Sequence, residues 1–148
     1  MTKPQVIFRG FRINDLVYSV NKEAERSRIK SEKISFLVSD IKIKVDSDLT
    51  NILVVAEVKI NSKAVLDNEE NEQVDYRKVN FDYFGNFSVK GADNKKELAE
   101  IMKNGGLHIA LAHVREAVKN ITSVDDRKPI FISDRPFPIV MNKDERKS

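Results

Sequence analysis

The sequence predicts an α+β domain: a four-stranded antiparallel sheet followed by two C-terminal helices on one face. Two observations support this class. Up to about residue 90, apolar side chains recur at every second position, which is the period of a strand. After Gly91 the apolar spacing changes to three or four residues, which is the period of a helix. The 148 residues match one ordinary domain, so we expect a single domain over residues 1–148.

The first two strands are predicted at residues 4–20 and 34–45. The first carries Gly10 at its centre, which indicates a β-bulge. Residues 21–33 are almost wholly polar, so we interpret them as a linker that anchors no core. In the second strand, strict alternation places four apolar residues on one face: Leu37, Ile41, Ile43 and Val45.

The third and fourth strands are predicted at residues 51–60 and 74–89, joined by the acidic turn DNEENEQ. The third has the strongest pattern, with Ile52, Val58 and Ile60 among the residues on one face. The fourth contains FDYFGNFSVKG. Glycine within a strand indicates a bulge, a bend or a close approach, and we expect Gly85 to bend the strand.

Two helices are predicted after the strands. Asn94 and Glu97 have capping-box spacing, and the short helix that follows is expected to end at Gly105 and Gly106. A longer amphipathic helix is predicted over residues 107–122. The proline-marked stretch RKPIFISDRPFPIV should be an extended segment laid over the core, and residues 141–148 a disordered tail.

No motif in the sequence indicates an enzyme. The chain has no cysteine, which excludes disulfides, thiolate chemistry and cysteine zinc sites. His108 and His113 are five residues apart, about 140° around a helix, so they cannot share a metal. Asp125 and Asp126 fit a turn better than a catalytic carboxylate pair. We therefore expect no metal, no cofactor and no catalytic residues. Without a long apolar run or a signal-like segment, a cytoplasmic location is expected.

The charge pattern keeps a nucleic-acid interpretation open. Basic residues concentrate in segment 9–33, with aromatic residues nearby at Phe8, Phe11 and Tyr18, a mixture that can bind a single strand by stacking and phosphate contacts. Acidic residues interrupt the run, and the net charge is only +3, which favours a solvated linker. Nucleic acid is therefore the alternative and not the leading hypothesis.

The predicted strands carry apolar residues on both faces. The face opposite the main stripe is expected to hold Phe36, Val38, Leu53, Val55 and Phe84. A one-sided sheet in a monomer keeps that face polar, so something should cover it. A second subunit is favoured as the main cover, and a client polypeptide is the other candidate.

The order of these segments resembles the SecB-type export chaperone family. The resemblance rests on DIKIKVD, ILVVAEVKI, FDYFGNFSVKG, LHIALAHVREAVKNIT and the proline-marked tail, and it covers nearly the whole chain. It implies an ATP-independent holdase that dimerises partly through its first strand and first helix, pairs again into a tetramer, and holds unfolded polypeptide in exposed grooves.

The resemblance also implies the residues of each site. The residues carried over as polypeptide-binding are Ile41, Ile43, Val45, Leu107, Ile109 and Leu111. Those assigned to the oligomer interface are Phe8, Phe11, Leu98, Ile101 and Met102.

Two departures from the family pattern narrow the interpretation. NGGLHIALAH replaces the family's proline-containing start of the long helix, and the net charge of +3 argues against the SecA motor, which typical members meet with acidic charge. SecB-like chaperones that stand alone or serve toxin-antitoxin modules fit at least as well. A structural or regulatory oligomer without clients is a third possibility.

Overall fold

The computed structural model describes residues 5–46, 50–132 and 139–141, the last three by their backbone alone. Its four long strands are β1 (Gln5–Val20), β2 (Ile29–Val45), β3 (Asn51–Leu66) and β4 (Gln73–Lys90). Helices α1 (Lys95–Ile101) and α2 (Leu107–Thr122) follow, and then the short strand β5 (Ile139–Met141). The sheet order is β1-β4-β3-β2-β5, and the four long strands pair antiparallel. The predicted α+β class and four-stranded sheet are confirmed.

The two faces of the sheet have different surroundings. We call the face packed against the helices the covered face. On β3 it presents a fully alternating buried stripe: Ile52, Val54, Ala56, Val58 and Ile60. The residues between them, including Leu53 and Val55, lie on the opposite side, which we call the open face. The core is therefore a single layer between sheet and helices.

Strand β1 contains the predicted bulge. Its register on β4 shifts between Phe8 and Gly10, and Gly10 has a φ of 142°, which a residue with a side chain rarely adopts. A second shift lies between Asn14 and Val17, with Asp15 at a φ of 55°. These irregularities bend an edge strand, where they also discourage pairing with foreign strands.

The interpretation of residues 21–33 as a linker that anchors no core was wrong. Strand β2 begins at Ile29, and a short 3₁₀ turn covers Ala24–Arg26. Ala24 is buried with Ala64 and Leu66 in a small second cluster, so this segment does anchor a core. The strand pattern was hidden because the early part of β2 pairs only with β3 and lies beyond the main apolar stripe.

A bulge in β2 changes which of its residues share a face. The register on β3 shifts between Ser39 and Lys42, with Asp40 at a φ of 52°. The shift moves the strand by one residue, so Phe36 and Val38 join Ile41 on the covered face. Their expected place on the opposite face was wrong. The expected place of Leu37 beside Ile41 was wrong too, because Leu37 pairs with Lys59 on the open face. Leu53, Val55 and Phe84 do lie on the open face.

Gly85 does not bend β4. Its pairs Phe11–Gly85 and Val54–Gly85 continue the register of their neighbours. The glycine is required instead by close approach, because a Cβ there would lie 2.5 Å from the Tyr83 hydroxyl and 2.9 Å from Cε2 of Phe87. The two aromatic rings on the covered face close over the missing side chain.

The two predicted helices form one continuous helical run. A π-helical turn, Met102–Gly106, joins α1 to α2, and the backbone N–H of Leu107 donates to the carbonyl of Met102. Gly106 is helical, with φ −60° and ψ −39°, so the expected break was wrong. A Cβ at Gly106 would overlap the side chain of Met102, which explains the glycine by packing.

The chain returns to the sheet after α2. The Thr122 hydroxyl accepts a hydrogen bond from the backbone N–H of Ile130 at 2.8 Å, and Ile130 is buried. Strand β5 then pairs parallel with β2 at its outer edge. Met141, expected in the disordered tail, belongs to this strand, and residues 142–148 lie outside the described part of the chain.

Candidate functional site

An apolar cleft lies between the start of α2 and strands β2 and β3. From the sheet it is lined by Val38, Ile41, Val54, Ala56 and Tyr83, and from the helix by Leu107, Ala110, Leu111 and Val114. The bulge at Asp40 brings Val38 and Ile41 to the same side, and the spacing of four residues puts Leu107 and Leu111 on one side of the helix. The fold thus brings together three residues predicted to bind polypeptide: Ile41, Leu107 and Leu111.

The cleft is closed in this conformation. Its volume is about 20 Å³, close to the room that one water molecule needs. Ile41 is only 2% exposed and belongs to the core, whereas Leu107 and Leu111 are half-buried. An apolar side chain from another polypeptide could enter only if α2 moved away from β2.

The other predicted binding residues lie outside the cleft. Ile43 and Val45 continue along β2 on the covered face, half-buried against the core. Val45 also borders an open depression of about 520 Å³ that includes Arg9, Lys44 and Asp46 and is therefore mixed in polarity. Ile109 is two residues, about 200° around the helix, from both Leu107 and Leu111, so it lies on the other flank of α2.

An aromatic cluster occupies the β1 side of the helix. The rings of Phe8 and His113 stack with centroids 4.1 Å apart, and Phe11 stacks on Tyr83 at 5.7 Å. Phe8 also meets Phe87 edge-on at 5.4 Å. From the sequence, His113 was considered only as a candidate metal ligand, and this cluster was missed. His113 lies four residues after the apolar Ile109, so both are on the same side of α2, and this spacing was the signal in the sequence.

The predicted interface residues divide by burial. Phe8, Phe11 and Ile101 keep exposed surface, and Phe11 is 40% exposed next to the outer edge of β1. Leu98 and Met102 are 0% exposed in the chain's own core. Their assignment to an interface is corrected, because they have no surface left to offer a second subunit.

Arg127 forms a structural ion pair with Glu25 and Asp125. The Arg127 guanidinium donates to both carboxylate oxygens of Glu25 at 2.7 Å and to Asp125 at 2.6 Å. The hydrogen bond from Arg127, supported by one from Tyr76, lowers the pKa of Glu25 to about 2. Asp125 thus has the turn role expected for it, and the described residues contain no cluster of histidines and carboxylates that could hold a metal ion.

A second ion pair lies at the end of the covered face. The side chain of Arg77 is 2% exposed and donates to both oxygens of Glu32, and it also donates to the Tyr18 hydroxyl at 3.4 Å. Glu32 comes from the segment interpreted as a linker. Because a buried guanidinium requires a partner, this pair explains why β2 begins as early as Ile29.

No helix in the described residues is long and apolar enough to cross a membrane. No protein-family model matches the sequence, and no curated protein is similar to it.

Comparison with solved structures identifies the fold. The Rv1957 SecB-like chaperone from Mycobacterium tuberculosis, solved with a ChAD peptide from the Rv1956 HigA1 antitoxin, superposes with a TM-score of 0.64 at 14% identity, covering 90% of this chain and 92% of that one. A protein of unknown function from Streptococcus agalactiae matches with a TM-score of 0.40 at 12% identity, over 89% of this chain and 99% of that one. The resemblance seen in the sequence is thus confirmed for the fold: this chain has the fold of a SecB-like chaperone.

Proposed function

We propose that this protein is an ATP-independent holdase that binds extended segments of unfolded polypeptide. The observation that carries the proposal is the apolar cleft between α2 and β2 in a fold shared with a chaperone that was solved with a peptide bound. The cleft offers apolar contact and no catalytic group, which suits a binding protein and not an enzyme.

The cleft opens by displacement of the first turns of α2. Leu107 and Leu111 cover Ile41, and Gly105 next to them would have room for a side chain yet carries none. The π turn there uses a wider hydrogen-bonding ring than an α-helix, a geometry often found at functional positions. Moving α2 away from β2 exposes Ile41 and Val38 to a client side chain.

Backbone pairing adds to the apolar contact. β2 is the outermost long strand on the side of the sheet opposite β1, and β5 pairs with it only around Val38 and Ile41. An extended client that displaces β5 forms the backbone hydrogen bonds that β5 made with β2. Alternate side chains of the client then point into the cleft. Binding of this kind recognises chain conformation more than sequence.

The assembly and cellular role follow the same proposal. We expect a dimer or tetramer in the cytoplasm, joined through the free edge of β1 and the exposed surfaces of Phe8, Phe11 and Ile101. A role beside a toxin-antitoxin pair is favoured over export, because the net charge of +3 does not suit the SecA motor.

The test compares two half-buried apolar residues of α2. Leu111→Ser removes an apolar wall of the cleft, and Ile121→Ser makes the same kind of change outside it. Suppression of aggregation of a chemically denatured reporter enzyme is measured beside thermal melting. We expect Leu111→Ser to weaken suppression at least about tenfold, which corresponds to the loss of about 1.4 kcal/mol of apolar contact with the client. Ile121→Ser should retain suppression at a similar melting temperature.

Two results would contradict the proposal. If both variants lose suppression in proportion to their melting temperatures, the cleft is ordinary core. If the wild-type protein never delays aggregation, the fold serves as a structural oligomer without clients.

A further inference from the structure

The open face of the sheet is flanked by basic side chains on both sides. Cross-strand partners share a face, and the row Arg12–Phe84–Val55–Lys42 crosses four strands on the side away from the helices. Lys44 pairs with Leu53 in the next row. On the β1 side, Arg9 donates to the Ser88 hydroxyl of the open face at 3.2 Å. With strands about 4.8 Å apart, the two basic flanks are roughly 14 Å from each other.

Further lysines extend this charge along the strands. The register places on the open face Lys33, Lys59, Lys63, Lys78 and Lys90. The carboxylates there, among them Asp82 and Glu57, are fewer, and Glu57 is already paired with Lys59 at 3.2 Å. Most of the acidic turn between β3 and β4 lies beyond the end of the sheet, at residues 67–72. The overall charge of +3 therefore conceals a strongly positive face.

The centre of the open face combines an aromatic ring with side-chain amides. The guanidinium carbon of Arg12 lies 5.0 Å from the centre of the half-buried Phe84 ring. Along β4, Asn86 is the next open-face residue on one side of Phe84, and Asp82 followed by Asn80 lies on the other side. A planar stack beside the Asn86 amide is suited to an unpaired base, which stacks on rings and guanidinium groups and accepts and donates hydrogen bonds at its edge.

We propose that the open face binds single-stranded nucleic acid. Phosphates lie along the basic flanks of β1 and β2, and a base stacks at Phe84 and Arg12. An acidic polypeptide would meet the same charge. The apolar residues on this face, spread over four strands among basic side chains, include Ile7, Val17, Leu37, Leu53, Val55 and Phe84, and of these Phe84 has the Arg12 guanidinium over its ring. Charge with one stacking position favours the nucleic acid.

This surface differs from the basic segment 9–33 that the sequence suggested. Within that segment, Arg9, Arg12 and Lys33 do reach the open face. Arg26 is paired with Glu23 at 3.6 Å, and Arg28 with Asp67 at 3.6 Å, near the end of the sheet. The open face is also on the opposite side of the sheet from the cleft, so this proposal does not depend on the holdase.

The test uses two variants with equal loss of charge. Lys42→Gln/Lys44→Gln removes the basic flank on β2, and Lys95→Gln/Lys96→Gln removes two exposed lysines from α1 as the control. Fluorescence anisotropy with a labelled 15-nucleotide oligo-dT is measured across a salt series. We expect the first variant to bind at least about tenfold more weakly at low salt and to lower the slope of log K against log salt by about 1.4, that is, about 0.7 for each lost phosphate contact. The control should stay within about twofold.

Phe84→Leu tests the stacking position with little change in apolar volume. We expect about a tenfold loss of affinity with an unchanged salt slope, because the phosphate contacts remain. Circular dichroism confirms that each variant is folded.

Three results would overturn the proposal. Absence of binding at low salt is the first, and equal losses in the β2 and α1 variants are the second. The third is that an acidic peptide of matched charge displaces the labelled oligonucleotide as well as unlabelled oligonucleotide does, while Phe84→Leu leaves the affinity unchanged. That outcome would assign the face to an acidic protein partner.

Discussion

The covered and open faces of the sheet take alternate residues from the same four strands. On β3, Val58 and Ile60 are fully buried under the helices, while Lys59 between them and Asn61 after them are exposed on the open face. The covered face is specified by packing, which leaves little freedom in side-chain volume. The open face is specified by charge, which tolerates changes of shape. Each strand therefore alternates residues that stabilise the core with residues that are available for contact with other molecules.

The largest difference between the faces should appear when an apolar side chain is shortened. Ile60→Ala on the covered face is expected to lower the free energy of unfolding by about 2 to 5 kcal/mol, because a fully buried side chain leaves a cavity. Leu53→Ala on the open face is expected to cost about 1 kcal/mol, since this side chain is only half-buried. Urea unfolding measures both. Equal losses would mean that the open face is also buried, as in a sheet that pairs face to face in an oligomer.

A smaller effect is expected from adding a methyl group. Gly85→Ala places a carbon within 3 Å of the Tyr83 and Phe87 rings and should destabilise by about 1 to 3 kcal/mol through overpacking. Asn86→Ala, its exposed neighbour on the open face, is the control and should change stability by less than about 0.5 kcal/mol. If Gly85→Ala melts like the wild type, the rings can separate and the covered face is looser than its contacts indicate.

The smallest effect is expected for the ion pair of Arg127 with Glu25 beside the covered face. The pKa of Glu25 is about 2 in the folded protein and near 4.5 when unfolded, so its stabilisation is complete above pH 4.5 and is lost as the pH falls toward 2. We expect the difference in melting temperature between the wild type and Glu25→Gln to shrink over this range. Asp125 also contacts Arg127, and Tyr76 donates to Glu25, so both remain as partners in the variant.

A constant difference from pH 7 to pH 2 would show that the charge of Glu25 contributes nothing. The contact between Arg127 and residue 25 would then hold the segment after α2 without any contribution from the carboxylate charge.

The sequence predicted the fold class well because the apolar period is long and regular. Strand β3 alternates without interruption from Ile52 to Ile60, and α2 keeps a helical stripe, so local pattern and tertiary packing agree there. The bulge at Gly10 was also predicted, since a glycine at the centre of a strand commonly marks a bulge.

The errors arose where a single residue changes the geometry. The bulge at Asp40 moves Phe36 and Val38 to the covered face, yet aspartate at a positive φ has no unique sequence signal. Gly85 and Gly106 were interpreted through backbone freedom, whereas both are small because neighbouring side chains occupy the space.

The candidate cleft was only partly predictable for the same reason. Ile41, Leu107 and Leu111 converge because the chain folds back on itself, but alternation cannot tell a groove residue from a core residue. The open face was missed because its basic residues are spread over four strands and separate into one surface only when the register is known.

The π turn has a consequence for the phase of the helix. Every fourth residue of the helical run is buried: Leu98, Met102, Gly106, Ala110, Val114, Val118 and Thr122. In a regular α-helix each such step advances about 40°, so this stripe would wind more than half-way around the axis. The additional residue in the turn at Met102–Gly106 sets the phase back by about 100°, which keeps both ends of the stripe on the twisted sheet. Deleting Gly105 would remove the additional residue and restore α-helical hydrogen bonding with Val114 and Val118 still facing the core, whereas a regular α-helical turn of unchanged length would rotate both residues away by about 100°.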